Sequence, residues 1–131
     1  MKITEINLVV EDLARSHAFY AALGCTLRQV SESSEETSAW LTAGGPIPVS
    51  LHSREFAAWW DASAPPVAPG SATIDLTVDS AEEAEAVLAK AEQAGGRVIA
   101  AARPMPWGQQ YAIFADPDGY RWGIKSPPRP S

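Results

Sequence analysis

The residues able to do chemistry fall into two groups. One is polar and sits in alternating segments: Glu5 and Asn7 near the start, Ser50 and His52 in the middle, and Thr73, Asp75 and Thr77 in the second half. Carboxylates and an imidazole so placed could ligate a divalent metal or accept a proton from a bound substrate. The other group is five tryptophans, Trp40, Trp59, Trp60, Trp107 and Trp122. A rigidly held indole is a platform for a flat ring, and each stacked pair contributes about 0.5–1.5 kcal/mol beyond the area it buries.

These side chains depend on the elements that carry them. In ITEINLVV, Ile6, Leu8 and Val10 alternate with Glu5, Asn7 and Val9, the period of a strand with one buried face. Asp12 then stands where a helix N-cap belongs, and LARSHAFYAAL carries Phe19 and Leu23 four apart before Gly24 ends the helix. Three short strands are expected next, in CTLRQVS, TSAWLTA and PIPVSLHS, with the acidic SESSEET as a loop and Gly44-Gly45 as a turn. REFAAWWDAS has the length of one or two helical turns, and APPVAPGS, residues 64–71, reads as an extended proline-rich linker.

The order then repeats. SATIDLTV sets Ile74, Leu76 and Val78 against Thr73, Asp75 and Thr77, AEEAEAVLAKAEQA is helical up to Gly95-Gly96, and RVIAAA, GQQYAIFA and YRWGIKS are strands. DPDG joins the last two, with Pro and Gly where a type I turn wants them. The expected fold is therefore α+β: a single domain, residues 1–131, of two β-α-β-β-β modules, 1–63 and 72–131, around the linker 64–71.

Composition limits the partners. A net charge of −6 over 131 residues disfavours nucleic acid, whose binding draws on clustered Lys and Arg. The longest apolar runs are too short to span a bilayer, and MKITEINLVVED lacks the pattern of a secretory signal, so a cytoplasmic protein with no membrane partner is expected. The lone Cys25 cannot form an internal disulfide and is expected to be a small buried apolar residue. His17, within the first helix, is expected to pack or face solvent rather than act as a base.

VVEDLARSHAFYAALGC, TIDLTVDSAEEAEAVLAKAEQAGG and WGQQYAIFADPDGYRW, in this order and spacing, resemble the vicinal oxygen chelate superfamily of glyoxalases, extradiol dioxygenases, fosfomycin resistance proteins and bleomycin resistance proteins. The resemblance implies an open concave sheet that holds a ligand, and a homodimer with clefts at the interface. It also implies four metal-ligand positions, which fall on Glu5, on Ser50 or His52, on Thr73 and on Gly123. Thr73 and Gly123 cannot serve as the family's His and Glu do, and at most two ligands remain where a catalytic site normally has three. No metal and no other cofactor is expected, and no residue is assigned a catalytic role.

The aromatic surplus then needs an account. Trp122 shares a face with Tyr120 and Ile124 and is expected in the core, whereas Trp40 shares its face with Ser38 and Glu36. Trp107 follows RPMP and precedes Gly108 at the entrance to a strand, where an indole can project from a fixed backbone. The expected ligand contacts are Asn7, Glu36, Ser38, Trp40, His52, Trp59, Trp60, Trp107, Tyr111 and Arg121, with one of Trp59 and Trp60 lining the cleft. Arg121 and Lys125, opposite Trp122, could meet acidic or carbonyl groups of the ligand.

WGQQYAIFADPDG is especially similar to the mitomycin- and bleomycin-binding members. That similarity implies a non-catalytic protein giving antibiotic self-resistance by sequestering a planar aromatic natural product, mitomycin-, bleomycin-, quinone- or enediyne-like. The alternative is an enzyme of the same fold: a glyoxalase- or dioxygenase-type lyase using Glu5 and His52, or a metal-free enzyme of natural-product biosynthesis with Glu5 or Asp75 as general base.

Overall fold

The computed structural model describes residues 1–29, 38–42, 45–63 and 67–129, with residues 28, 29 and 38–42 described by their backbone and strand pairing alone. The chain divides into two compact units, Met1–Ala68 and Pro69–Ser131. Gly44 and Glu36 lie outside the described residues.

The first unit runs β1 (Ile6–Val10), α1 (Leu13–Ala22), β2 (Thr26–Gln29), β3 (Ser38–Thr42), β4 (Val49–Ser53) and α2 (Arg54–Trp60). Its strands lie in the order β1-β4-β3-β2, with β1 and β4 parallel and the other neighbours antiparallel. Leu8, Val10, Val49 and Leu51 are buried together with Phe19 and Tyr20 of α1. Asp12 caps α1 by accepting from the Arg15 amide at 3.0 Å, and Gly24 follows the helix at φ +93°.

The second unit repeats the connectivity with β5 (Thr73–Thr77), α3 (Ala81–Gln93), β6 (Arg97–Pro104), β7 (Gln110–Ala115) and β8 (Arg121–Ser126). The strand order β5-β8-β7-β6, with β5 and β8 parallel, matches that of the first unit position for position. The fold is thus α+β with two β-α-β-β-β modules, and α2 is an addition to the first. Trp122 is 2% exposed and lies parallel to the Phe114 ring at 6.4 Å, as its strand face implies. Ala81, Ala84, Leu88 and Ala91 put the buried stripe of α3 at helical spacing.

Ser80 caps α3 by accepting from the Glu83 amide at 3.1 Å, while the Glu83 carboxylate accepts from the Asp79 amide at 3.0 Å. Ser80→Ala is expected to cost about 1 kcal/mol in chemical denaturation, a typical loss for such a cap. An unchanged midpoint would show that this helix end is held by its tertiary packing alone.

Two hairpins of the second unit share one turn. In the β7–β8 connection the Gly119 amide donates to Asp116 O at 2.9 Å and the Asp116 amide to Tyr120 O at 2.9 Å. In the β6–β7 connection the Gly108 amide donates to Met105 O at 2.9 Å and the Met105 amide to Gln109 O at 2.8 Å. Both are three-residue loops that begin with Pro and end on a glycine at positive φ, +99° for Gly119 and +100° for Gly108. Strand β6 therefore continues to Pro104 rather than ending with RVIAAA, and Trp107 occupies the hairpin position that Asp118 holds in the other loop.

Candidate functional site

In the first unit, the face of β1 and β4 turned away from α1 is polar. β1 and β4 run parallel with Asn7 opposite Ser50, so alternation places Glu5, Asn7, Ser50 and His52 on one side. The Ser50 hydroxyl donates to Glu5 Oε2. His52 Nε2 lies 2.7 Å from Asn7 Oδ1, and with an amide oxygen facing it this nitrogen carries the proton. Nδ1 is then a buried acceptor with no partner among the described residues.

Helix α2 begins directly after His52, because Ser53 caps it by accepting from the Phe56 amide at 3.2 Å. This returns the aromatic residues of the helix over the histidine. Phe56 stacks on the imidazole at 5.1 Å and 10°, and Trp60 meets it edge-on at 4.9 Å. His52 is only 7% exposed, although its strand position alone suggests partial exposure. The sequence signal for Phe56 was its place four residues from both His52 and Trp60, visible only once residues 54–60 are taken as a helix.

Burial holds the His52 imidazole below its ordinary value of 6.5, and the Glu5 carboxylate opposes this in part. The folded chain thus takes up this proton at lower pH than the unfolded chain, and stability falls as pH drops through about 6.5 toward the folded value. The melting temperature of the wild type is expected to decline more than that of His52→Gln between pH 7.5 and 5.5. Parallel declines in the two proteins would show that the imidazole titrates normally.

In the second unit, Thr73, Asp75 and Thr77 pair with Arg121, Gly123 and Lys125, and Tyr111 pairs with Lys125 from the other side. Tyr111 Oη donates to Asp75 Oδ1 at 2.7 Å, and Lys125 Nζ lies 3.2 Å from Asp75 Oδ2. To reach from β7 to β5 the phenol crosses β8 above Gly123. A Cβ added to Gly123 would collide with Tyr111 Oη, Tyr111 Cζ and Asp75 Oδ1. Burial, donation to Asp75 and the Asp75 charge together push the Tyr111 hydroxyl up to about 12, so it stays protonated at neutral pH.

The superfamily's metal does not fit this donor set. Of the four ligand positions, the one on β4 is Ser50, since Asn7 opposite Ser50 corresponds to Asp75 opposite Gly123, and its hydroxyl is committed to Glu5. Thr73 offers only a hydroxyl, and the space beside Gly123 is filled by the Tyr111–Asp75 hydrogen bond. No three His, Cys, Asp or Glu among the described residues are grouped to hold a metal ion.

The structure thus brings together Asn7, His52 and Trp60 in one unit and Tyr111 with Asp75 and Lys125 in the other. Trp59 is 81% exposed, Trp107 63% and Trp60 46%. Trp107 Nε1 donates to Gln109 Oε1 at 3.1 Å. Backbone pairing sets Trp40 opposite Ser50 and Ser38 opposite His52, but their side chains, like Glu36, lie outside the described residues. Arg121 shares the Gly123 face and carries a buried Nη1 without a partner among the described residues. Cys25 is half-buried, and burial pushes its thiol up.

Residues 2–124 match the family model of the Glyoxalase/Bleomycin resistance protein/Dioxygenase superfamily. The chain belongs to this superfamily. Among solved structures, it is similar to a hypothetical protein of S. aureus, with 25% identity and a TM-score of 0.83 over 96% of this chain and 94% of the other. A glyoxalase-related enzyme from Fulvimarina pelagi superposes with a TM-score of 0.82 at 23% identity, covering 96% and 88%. TnmS3, an antibiotic binding protein from a Streptomyces species, does so with 0.69 at 22%, covering 97% and 96%. The last two likenesses speak for the fold alone. An uncharacterized protein of Mycobacterium bovis is 37% identical over 57 residues, a match that spans 44% of this chain and only 36% of the relative's own length. Among the described residues no helix is long and apolar enough to cross a membrane.

Proposed function

We propose that this superfamily member is a non-catalytic binding protein, a cytoplasmic homodimer that gives antibiotic self-resistance by sequestering a planar aromatic natural product. The observation that carries the reading is the exposure of three indoles, Trp59, Trp60 and Trp107, in a chain whose superfamily metal positions hold Ser50, Thr73 and Gly123. Tryptophan is seldom left so exposed without a partner, and a rigid indole gives a flat ligand large contact area at low entropic cost. The similarity to TnmS3 supports the same direction.

Titration of tryptophan fluorescence with mitomycins, bleomycins, quinones and enediynes tests it. Saturable quenching by at least one class at micromolar concentration, without chemical change in the compound, is the expected result. Turnover, or stoichiometric zinc, nickel, manganese or iron in the purified protein, would replace sequestration with catalysis. Light scattering on the eluting protein tests the dimer.

One observation favours the enzymatic alternative. The buried, uncharged His52 presents Nδ1 without a partner, the state a general base requires. Glu5 and Asp75, the other candidate bases, already accept hydrogen bonds from Ser50 and Tyr111. His52→Gln would abolish turnover on that reading.

A further inference from the structure

The chain carries sixteen acidic and ten basic residues, yet one face of the β5–β8 sheet reverses that balance. Pairing places Arg121 and Lys125 of β8 on the face of Asp75, with Ala115 and Tyr111 of β7 beside them. Across β7, Arg97 pairs with Ala115 and Arg103 with Tyr111. Arg97 and Arg103 are both exposed, and their own pairs with Ala115 and Tyr111 hold them on this face across two irregularities of β6. Four of the ten basic residues therefore share a face with one carboxylate, Asp75, already engaged by Lys125. Arg97, Arg103 and Arg121 have no carboxylate partner among the described residues.

The four cations stand at the corners of a frame. Its short side, β6 to β8, is two strand spacings, or about 10 Å, and its long side, from Arg121 to Lys125, is four residues of strand, or about 13 Å. Within the frame lie Ile113 and the Tyr111 ring, drawn across Gly123 by its hydrogen bond to Asp75. A flat, largely uncharged floor bordered by guanidinium and ammonium groups matches a fused-ring aromatic that bears acidic oxygens. The Arg121 Nη1 nitrogen, buried and without an acceptor among the described residues, is the sharpest sign that a ligand acceptor belongs here. Trp107 stands at the tip of the hairpin whose strands carry Arg103 and Tyr111, so stacking and charge recognition sit on one element.

We propose that this face selects a planar aromatic anion, one carrying a carboxylate or an ionised ring hydroxyl at an edge, which takes charge-assisted hydrogen bonds from Arg121 or, at the diagonal corner of the frame, from Arg103. The inference rests on the sequestration reading and adds the charge of the ligand to it. A neutral aromatic of the same shape would leave the guanidinium groups without an acceptor and bind less well.

Equilibrium dialysis of the whole protein against an anthraquinone carboxylate and against its primary amide tests the proposal. The acid is expected to bind about tenfold or more tightly than the amide at low salt, and the gap is expected to narrow as salt is added. Of Arg103→Gln, at an exposed strand position, and Arg121→Gln, the variant at the carboxylate's corner is expected to weaken the acid about tenfold and the amide much less. Equal binding of acid and amide, or a preference that survives in both variants, would overturn the anion proposal while leaving sequestration standing. Failure of both compounds to bind would overturn the anion proposal, while the sequestration reading would stand or fall on the fluorescence titration.

Discussion

Gly123→Ala is expected to lower stability by about 1–3 kcal/mol, the usual range for forcing extra volume into a filled site. The colliding atoms are side-chain atoms, so the backbone need not move: the Tyr111 ring swings away from Asp75 and its hydrogen bond is lost. A second measurement reads the same event. The Tyr111 hydroxyl ionises at about 12 in the wild type because burial, the bond to Asp75 and the Asp75 charge all favour the neutral form. In the variant its ultraviolet titration is expected to move down toward the ordinary value of 10. The stability that this neutral form lends is present below pH 10 and is lost as pH rises toward 12, where the unfolded chain has already released the proton. Tyr111→Phe should recover part of the loss when combined with Gly123→Ala, since it removes the oxygen that the new methyl group meets. A fully stable Gly123→Ala with an unmoved tyrosine titration would show that the phenol does not cross above the glycine. Gly123→Glu, which would restore the superfamily's ligand type, is expected to disrupt the same packing without creating a metal site.

Strand faces, helix caps and the final turn were legible in the sequence because each is set within a few residues. Leu8 and Val10 alternate inward with Glu5 and Asn7 outward, Asp12 caps its helix, and Trp122 is core as its alternation requires. The site was harder to read where contacts cross strands. Gly123 could be recognised as a lost ligand position, but the reason for a glycine there lies in the hydrogen bond between Asp75 and Tyr111, thirty-six residues apart on strands that flank β8. Periodicity reports which face a residue occupies and is silent about what leans over it. The burial of His52 was hidden for the same reason. Its strand position suggested partial exposure, and the covering rings of Phe56 and Trp60 arrive only because Ser53 starts a helix at once. The arginines of β6 were missed because Arg97 and Arg103, six apart, face partners only four apart, and the two irregularities that reconcile the spacing leave no mark in the local pattern.

Trp107→Ala is expected to weaken binding of a planar ligand about tenfold while changing stability by less than about 0.5 kcal/mol. The two hairpins of the second unit justify the stability half of this expectation. Their loops share the same pair of backbone hydrogen bonds, the same proline position and the same positive-φ glycine, and one holds Trp107 where the other holds Asp118. Turn geometry therefore comes from Pro106 and Gly108, which fix the backbone without reference to the residue between them. The indole makes one exposed hydrogen bond, to Gln109, and is 63% exposed, so truncation leaves neither a cavity nor a stranded buried donor. What it does provide is a large flat surface on a short, tightly bonded loop, and its removal costs a stacked ligand both contact area and preorganisation. Trp107→Phe, which keeps a ring, is expected to retain most of the affinity. A melting temperature that falls sharply in Trp107→Ala, with binding unchanged, would instead place the indole in the packing of the protein and leave Trp59 and Trp60, the other exposed indoles among the described residues, to carry ligand contact.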